Sequence, residues 1–129
     1  MALHTPVTIL IIDDEPSFAR GLALLLRRDG YTVDTAANGQ HALAQLQAQR
    51  YDLVLCDLRM PELDGRAFYT IVLQQYPHLR TRLIFLTGDT LSADLQAFLA
   101  HSGQPCLYKP CSAAEVRSAI QQMLHPISP

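Results

Sequence analysis

The chain has 129 residues, 49% of them hydrophobic and 17% charged, with a formal net charge of -2. That size and composition suit one globular domain with a real core and exclude intrinsic disorder. The near-neutral balance gives no electrostatic footprint for nucleic acid. No apolar run is long enough to span a bilayer, and no signal-peptide pattern opens the chain. Cys56, Cys106 and Cys111 show no metal-ligand spacing, so reduced thiols in a cytoplasmic protein are the simplest account.

After a short lead-in, Met1–Pro6, strand and helix patterns alternate. Residues 8–13 form an apolar run ending in two acids and predict a buried strand. A helix follows over about 15–29, with Phe18, Leu22, Leu25 and Leu26 on one stripe and Gly30 as its stop. Residues 31–36 alternate apolar and polar positions and predict a second strand nearer an edge. Asn38 can cap a helix carrying Ala42, Leu43 and Leu46.

Residues 52–57 form the third strand, another short apolar run, ending in Asp57. The loop from Leu58 to Gly65 contains Pro61 and must turn tightly. A helix then runs to about Tyr76, where Pro77 breaks it. Residues 82–87 are the fourth strand. Ser92 caps a helix with Leu95, Phe98 and Leu99 inward, and Gly103 stops it. A short strand over 105–108 precedes Lys109-Pro110. Ser112 and Glu115 have the spacing of a capping box for a last helix with Val116, Ile120 and Met123 inward. Five strand-helix units imply an α/β fold: a doubly wound parallel sheet with right-handed crossovers and helices on both faces. The chain ends just after the fifth helix, so one domain over residues 1–129 is expected, without an output domain.

In such a sheet the carboxyl ends of neighbouring strands converge on one crevice. Asp13, Asp14 and Asp57 would meet there and repel one another unless a cation sat between them. Hard oxygen ligands at a shallow site favour Mg²⁺ or Mn²⁺ and suggest metal-dependent phosphoryl chemistry. Each feature also has a plain reading. Asp13-Asp14 alone suits a helix N-terminus, Thr87 alone is a strand-end threonine, and Lys109 alone a surface charge. The five histidines are dispersed, which favours surface or packing roles over metal binding or phosphotransfer.

Taken together in order, Ile-Ile-Asp-Asp-Glu-Pro16, Asp57-Leu-Arg-Met-Pro61 with Asp64-Gly65, Leu86-Thr87-Gly88 and Leu107-Tyr-Lys-Pro110 resemble the receiver domain of two-component response regulators over essentially the whole chain. The resemblance implies a flavodoxin-like strand order, 2-1-3-4-5. It implies that Asp57 is the phosphoacceptor, that Asp13, Asp14, Asp57 and the main-chain carbonyl of Arg59 hold Mg²⁺ (or Mn²⁺), and that Thr87 and Lys109 contact the phosphoryl oxygens. The donor would be a histidine kinase or a histidine phosphotransfer domain. The Lys109-Pro110 bond would be cis, and phosphorylation would switch the face made by the fourth helix, fifth strand and fifth helix. The chain would act as a signalling module rather than an enzyme on an external metabolite, as a monomer or weak homodimer without nucleic-acid or membrane binding. The stretch 86–105 is similar to receivers of hybrid histidine kinases; a stand-alone regulator fits as well.

The sequence departs from the family pattern at several places. Cys106 stands where the family usually has Tyr or Phe, which puts an aromatic-gated switch in doubt, and Tyr108 is expected on the opposite face of the strand from it. Cys111 replaces a bulky Phe after Lys-Pro. Arg59 and Asp89, each two residues past a site residue, are expected to tune acyl-phosphate lifetime. Rival classes fit less well. An aspartyl-phosphate phosphohydrolase would carry a second acid two residues after the nucleophile, where this chain has Arg59. A flavin or nucleotide module would need a glycine-rich phosphate cradle after the first strand, where this chain has acids. A pseudo-receiver that only binds partners would not need the three acids, Thr87 and Lys109 all intact.

Overall fold

In the computed structural model, which describes residues 6–60, 63–88 and 91–125, five strands alternate with five helices. They are β1 (Thr8–Ile12), α1 (Pro16–Arg28), β2 (Thr32–Ala36), α2 (Gly39–Ala48), β3 (Leu53–Asp57), α3 (Gly65–Gln75), β4 (Leu83–Thr87), α4 (Ala93–Ser102), β5 (Cys106–Tyr108) and α5 (Ala113–Leu124). A single 3₁₀ turn, Pro77–Leu79, follows α3 at the break predicted for Pro77. The strands are parallel in the order β2-β1-β3-β4-β5, the doubly wound arrangement expected from the alternation.

The central strands are apolar on both sides because both sheet faces are covered. Alternate residues of β1 serve separate layers. Leu10 and Ile12 join α2, α3 and α4, through Ala42, Leu46, Phe68, Val72 and the partly buried Phe98. Ile9 and Ile11 join α1 and α5, through Leu22, Leu26, Val116 and Ile120. Every residue of β3 and β4 is buried. Each such Leu, Ile or Phe contributes about 1.5–3 kcal/mol relative to an exposed one, so β3 and β4, which with β1 reach the carboxyl edge of the sheet, are firmly anchored there.

The helix ends follow the sequence signals. Pro16 occupies the first turn of α1. Asn38 accepts a hydrogen bond from the His41 amide and Ser92 from the Leu95 amide, and Ser112 with Glu115 completes the capping box. Gly30 and Gly103 take positive φ, 99° and 71°, where a β-carbon would be strained. One cap was not anticipated: Asp64 accepts from the Ala67 amide at 2.9 Å and starts α3. Gly65 beside it lies so close to Leu58 that an added Cβ would sit 3.0 Å from the Leu58 Cα.

Some packing differs from the expected stripes. In α1 the fully buried positions are Ala19, Leu22, Ala23 and Leu26, whereas Phe18 and Leu25 are half-buried. Small alanines let α1 approach the sheet, which apolar periodicity weighted by side-chain size overlooks. Helix α4 has no fully buried residue; Leu95, Phe98 and Leu99 are only partly covered. Tyr108 does not lie opposite Cys106. Positions two apart on a strand share a face, and it is Leu107 that turns to the α1–α5 layer while Cys106 packs with the other. Tyr108 itself is exposed. Pro61 and Asp89 lie outside the described residues, as do Met1–Thr5 of the lead-in. Among the described residues no helix is long and apolar enough to cross a membrane.

Candidate functional site

Strand register brings the site together. Ile12 pairs with Cys56, so the next residues, Asp13 and Asp57, stand level at the carboxyl edge of the sheet. Asp57 pairs with Leu86, which puts Thr87 one step further on. Thr87 pairs with Tyr108, and the following amide, that of Lys109, donates to the Thr87 carbonyl at 2.7 Å. Asp13, Asp57 and Thr87 are buried polar residues, at 2%, 5% and 1% exposure, in an otherwise apolar interior. Buried polar groups are costly unless paired, so this cluster is maintained against the packing preference around it.

The acids are gathered tightly. Asp13, Asp14, Glu15 and Asp57 each present a carboxylate oxygen, and those oxygens all lie within 4.8 Å of one another. Lys109 answers three of them: its Nζ lies 2.7 Å from Asp13 Oδ2, 3.1 Å from Glu15 Oε1 and 3.3 Å from Asp57 Oδ2. The ammonium also lies 4.4 Å from the centre of the Phe18 ring, a cation–π distance. The Lys109-Pro110 bond is cis.

Hydrogen bonds fix the remaining lone pairs. Asp13 Oδ1 accepts the Glu15 amide at 2.9 Å, and Asp57 Oδ1 accepts the Arg59 amide at 3.0 Å. The Asp13 contact is not a helix cap, because the N-cap of α1 is Glu15 and no side chain caps that end. Burial pushes the Asp57 carboxyl above the ordinary range, opposed by the Arg59 amide and the Lys109 charge. Burial alone would lower Lys109, but the hydrogen bonds to Asp13 and Glu15 and the charges of Asp57 and Asp13 outweigh it and hold the ammonium above the usual lysine value. Four acids facing one ammonium, with Asp57 reluctant to ionise, form a donor set suited to a hard divalent cation. Asp13, Asp14 and Asp57, the acids nominated from the sequence, are all in that cluster.

All six residues singled out from the sequence, Asp13, Asp14, Asp57, Arg59, Thr87 and Lys109, fall at this edge. Two were missed. Glu15 supplies the fourth carboxylate; its position directly after two acids was the available signal. Phe18 lies beside Lys109, and nothing in its helical spacing distinguishes that from ordinary packing. Beside the acids a concavity of about 590 Å³ is lined by Asp14, Arg59, Asp64, Arg66 and Leu95, among others. Where the aromatic before Lys109 is absent, Tyr69, Phe85 and Phe98 form a ring triangle with each pair of centroids 5.6 Å apart. Cys106 packs against the same cluster.

The sequence model of the response regulator receiver domain matches residues 9–121. The chain belongs to that family. It is 32% identical over 119 residues to the probable transcriptional regulatory protein TcrX of Mycobacterium tuberculosis, covering 92% of this chain and 50% of that protein. It is likewise 32% identical over 116 residues to the transcription factor SKN7 of Saccharomyces cerevisiae, covering 90% of this chain and 18% of the relative. The chain therefore spans about half or less of these relatives' length. Among solved structures, the chemotaxis protein CheY4 of Vibrio cholerae superposes with a TM-score of 0.83 at 29% identity, over 92% of this chain and 99% of that one. The signal receiver domain of a signal transduction histidine kinase from Syntrophus aciditrophicus gives 0.81 at 32% identity, over 95% and 92%. Regulators and a kinase receiver thus both stand among the relatives.

Proposed function

We propose that this chain is a phosphoacceptor module in two-component signalling. Asp57 would accept a phosphoryl group from a histidine kinase or histidine phosphotransfer domain in a reaction that requires Mg²⁺ or Mn²⁺. The observation that carries the reading is the nearly buried Asp57 carboxylate at the end of β3, packed among three further acids and reached by Lys109.

In the proposed reaction an Asp57 oxygen attacks phosphorus. An oxygen–phosphorus bond forms and the bond from phosphorus to the donor nitrogen or oxygen breaks, the leaving group taking its electron pair and a proton from solvent. Asp13, Asp14, Asp57 and the Arg59 carbonyl would hold the cation, which when bound screens the approach of two anions and clamps phosphoryl oxygens. The Arg59 amide orients Asp57 by binding one oxygen, leaving the other for attack. Lys109, already among the acids, supplies positive charge to a phosphoryl oxygen. Thr87 donates its hydroxyl to another and thereby links the site to the surface of α4, β5 and α5. The module promotes its own phosphorylation and dephosphorylation and turns over no external metabolite. Its relatives support equally a receiver excised from a hybrid kinase and a regulator acting by itself.

The test is intact-mass measurement after incubation with Mg²⁺ and a small phosphodonor, with a histidine kinase arm in case small donors are not used. A phosphate-sized gain is expected for the parent and not for Asp57→Asn. No gain from either donor class, or an equal gain in the variant, would overturn the assignment.

A further inference from the structure

The opposite edge of the sheet carries a second concavity, of about 600 Å³, where the chain enters β1, β3 and β4. Its charged and polar lining comes from separate connections. Arg50 and Asp52 lead into β3, His78 sits in the 3₁₀ turn, Arg82 precedes β4, His125 closes α5 and Thr8 begins β1.

The acid in this pocket, Asp52, turns Oδ2 to the Thr8 amide at 2.9 Å, and its single negative charge is outnumbered by the two arginines. That contact also shows a carboxylate binding a main-chain donor at this edge. By contrast, the side chains of Arg50 and Arg82 have no hydrogen-bond or ion-pair partner among the described residues. His78 Nε2 lies 3.1 Å from the Tyr51 carbonyl. A carbonyl only accepts, so Nε2 carries the proton and is engaged, while Nδ1 of the neutral ring is an acceptor; the donors for an anion are the two arginines.

We propose that this pocket is an anion site that takes the oxygens of a phosphate group. Two guanidinium forks in one concavity match a tetrahedral oxyanion bearing more than one unit of charge. A lone carboxylate would need only one of them. The volume admits a phosphate with its waters or a phosphate carried on a larger headgroup. The site lies across the sheet from the acidic cluster and does not depend on phosphoryl transfer at Asp57.

The test titrates inorganic phosphate in EDTA, so that no metal can recruit it to the acidic edge, while following the His78 and His125 imidazole resonances by NMR. Sodium chloride at matched ionic strength is the control. A parallel arm measures retention on phosphatidylcholine vesicles with and without phosphatidylglycerol, which separates free from lipid-borne phosphate. Saturable shifts with phosphate but not chloride, weakened at least tenfold in an Arg50→Gln/Arg82→Gln double variant, support a free-anion site. Retention only on phosphatidylglycerol vesicles and lost in that variant supports the lipid-borne form. Shifts matched by chloride or unchanged in the variant overturn the proposal, as does the absence of both shifts and retention.

Discussion

Replacing Lys109 by Met isolates the charge at the centre of the acidic cluster while keeping a flexible chain against Phe18. This ammonium contacts Asp13, Glu15 and Asp57 at 2.7, 3.1 and 3.3 Å. Removing one partner of a fully buried ion pair costs about 3–5 kcal/mol. Here the Asp13 side chain is fully covered, but that of Lys109 is 12% exposed and that of Glu15 62%, and solvent screens part of the loss. A cost of about 2 kcal/mol follows. At about 2.1 cal/mol/K of unfolding entropy per residue, that lowers the melting temperature by about 7 °C. Because Lys109 is held above its ordinary value, its contribution is fully present at neutral pH and fades only as pH rises through its folded value. Magnesium should show the opposite sign. Lys109 competes for the same carboxylates, and a unit charge and a divalent ion about 4 Å apart repel by about 2 kcal/mol even in water. The variant should therefore bind Mg²⁺ about thirtyfold more tightly. Urea unfolding in EDTA followed by circular dichroism measures the first effect, and calorimetric titration of Mg²⁺ the second. A variant as stable as the parent in EDTA, or one that binds Mg²⁺ more weakly, would refute the idea that lysine and metal exchange roles on one set of acids.

Other outcomes follow from the same geometry. Burial raises Asp57, so its contribution favours folding below the ordinary carboxylate range and is lost as pH rises through the folded value; metal-free Asp57→Asn should thus exceed the parent in stability at pH 7.5, with the difference shrinking toward pH 4 in urea titrations. Gly65→Ala forces a Cβ to within 3.0 Å of the Leu58 Cα and 3.2 Å of the Asp57 carbonyl oxygen, and should cost about 1–3 kcal/mol, read as a lower urea midpoint. Phe98→Ala removes the α4 member of the ring triangle from a helix with no fully buried residue. Amide exchange should accelerate across α4 while β3 stays protected. Arg59→Ala should alter the decay of the acyl phosphate, measured by mass after donor removal; an unchanged lifetime would dismiss a role for that side chain.

The strand-helix alternation and the three aspartates were legible from chain-local signals, whereas the strand order and the places of Arg59, Thr87 and Lys109 came from the family resemblance of the motifs taken together. Acids end apolar runs, and parallel pairing carries those ends to one edge. The caps at Asn38, Ser92 and Ser112 were equally local. What escaped depends on distance between elements. Nothing near Phe18 in sequence announces Lys109, and Glu15 resembles any acid in a first helical turn until Lys109 Nζ is seen 3.1 Å away. The close packing of Ala19 and Ala23 is invisible to a pattern that weighs bulky residues. The contact between Gly65 and Leu58 requires the loop's path. Tyr108 was misplaced for a simpler reason: the two-residue period, applied to β5, already puts it on the side of Cys106.

Cys56 gives the molecule a built-in reporter of opening. It is the residue before Asp57, at 0% exposure, and burial together with the charges of Asp57 and Asp13 pushes its thiol far above the usual range. Alkylation there must wait for the middle of the sheet to come apart, whereas Cys106 and Cys111 are half-buried and can be reached by smaller fluctuations. The rate at which a mild thiol reagent consumes the slowest of the three cysteines thus counts disruptions of the very strand that presents Asp57. Ligands that brace that edge should lengthen the wait without touching sulfur.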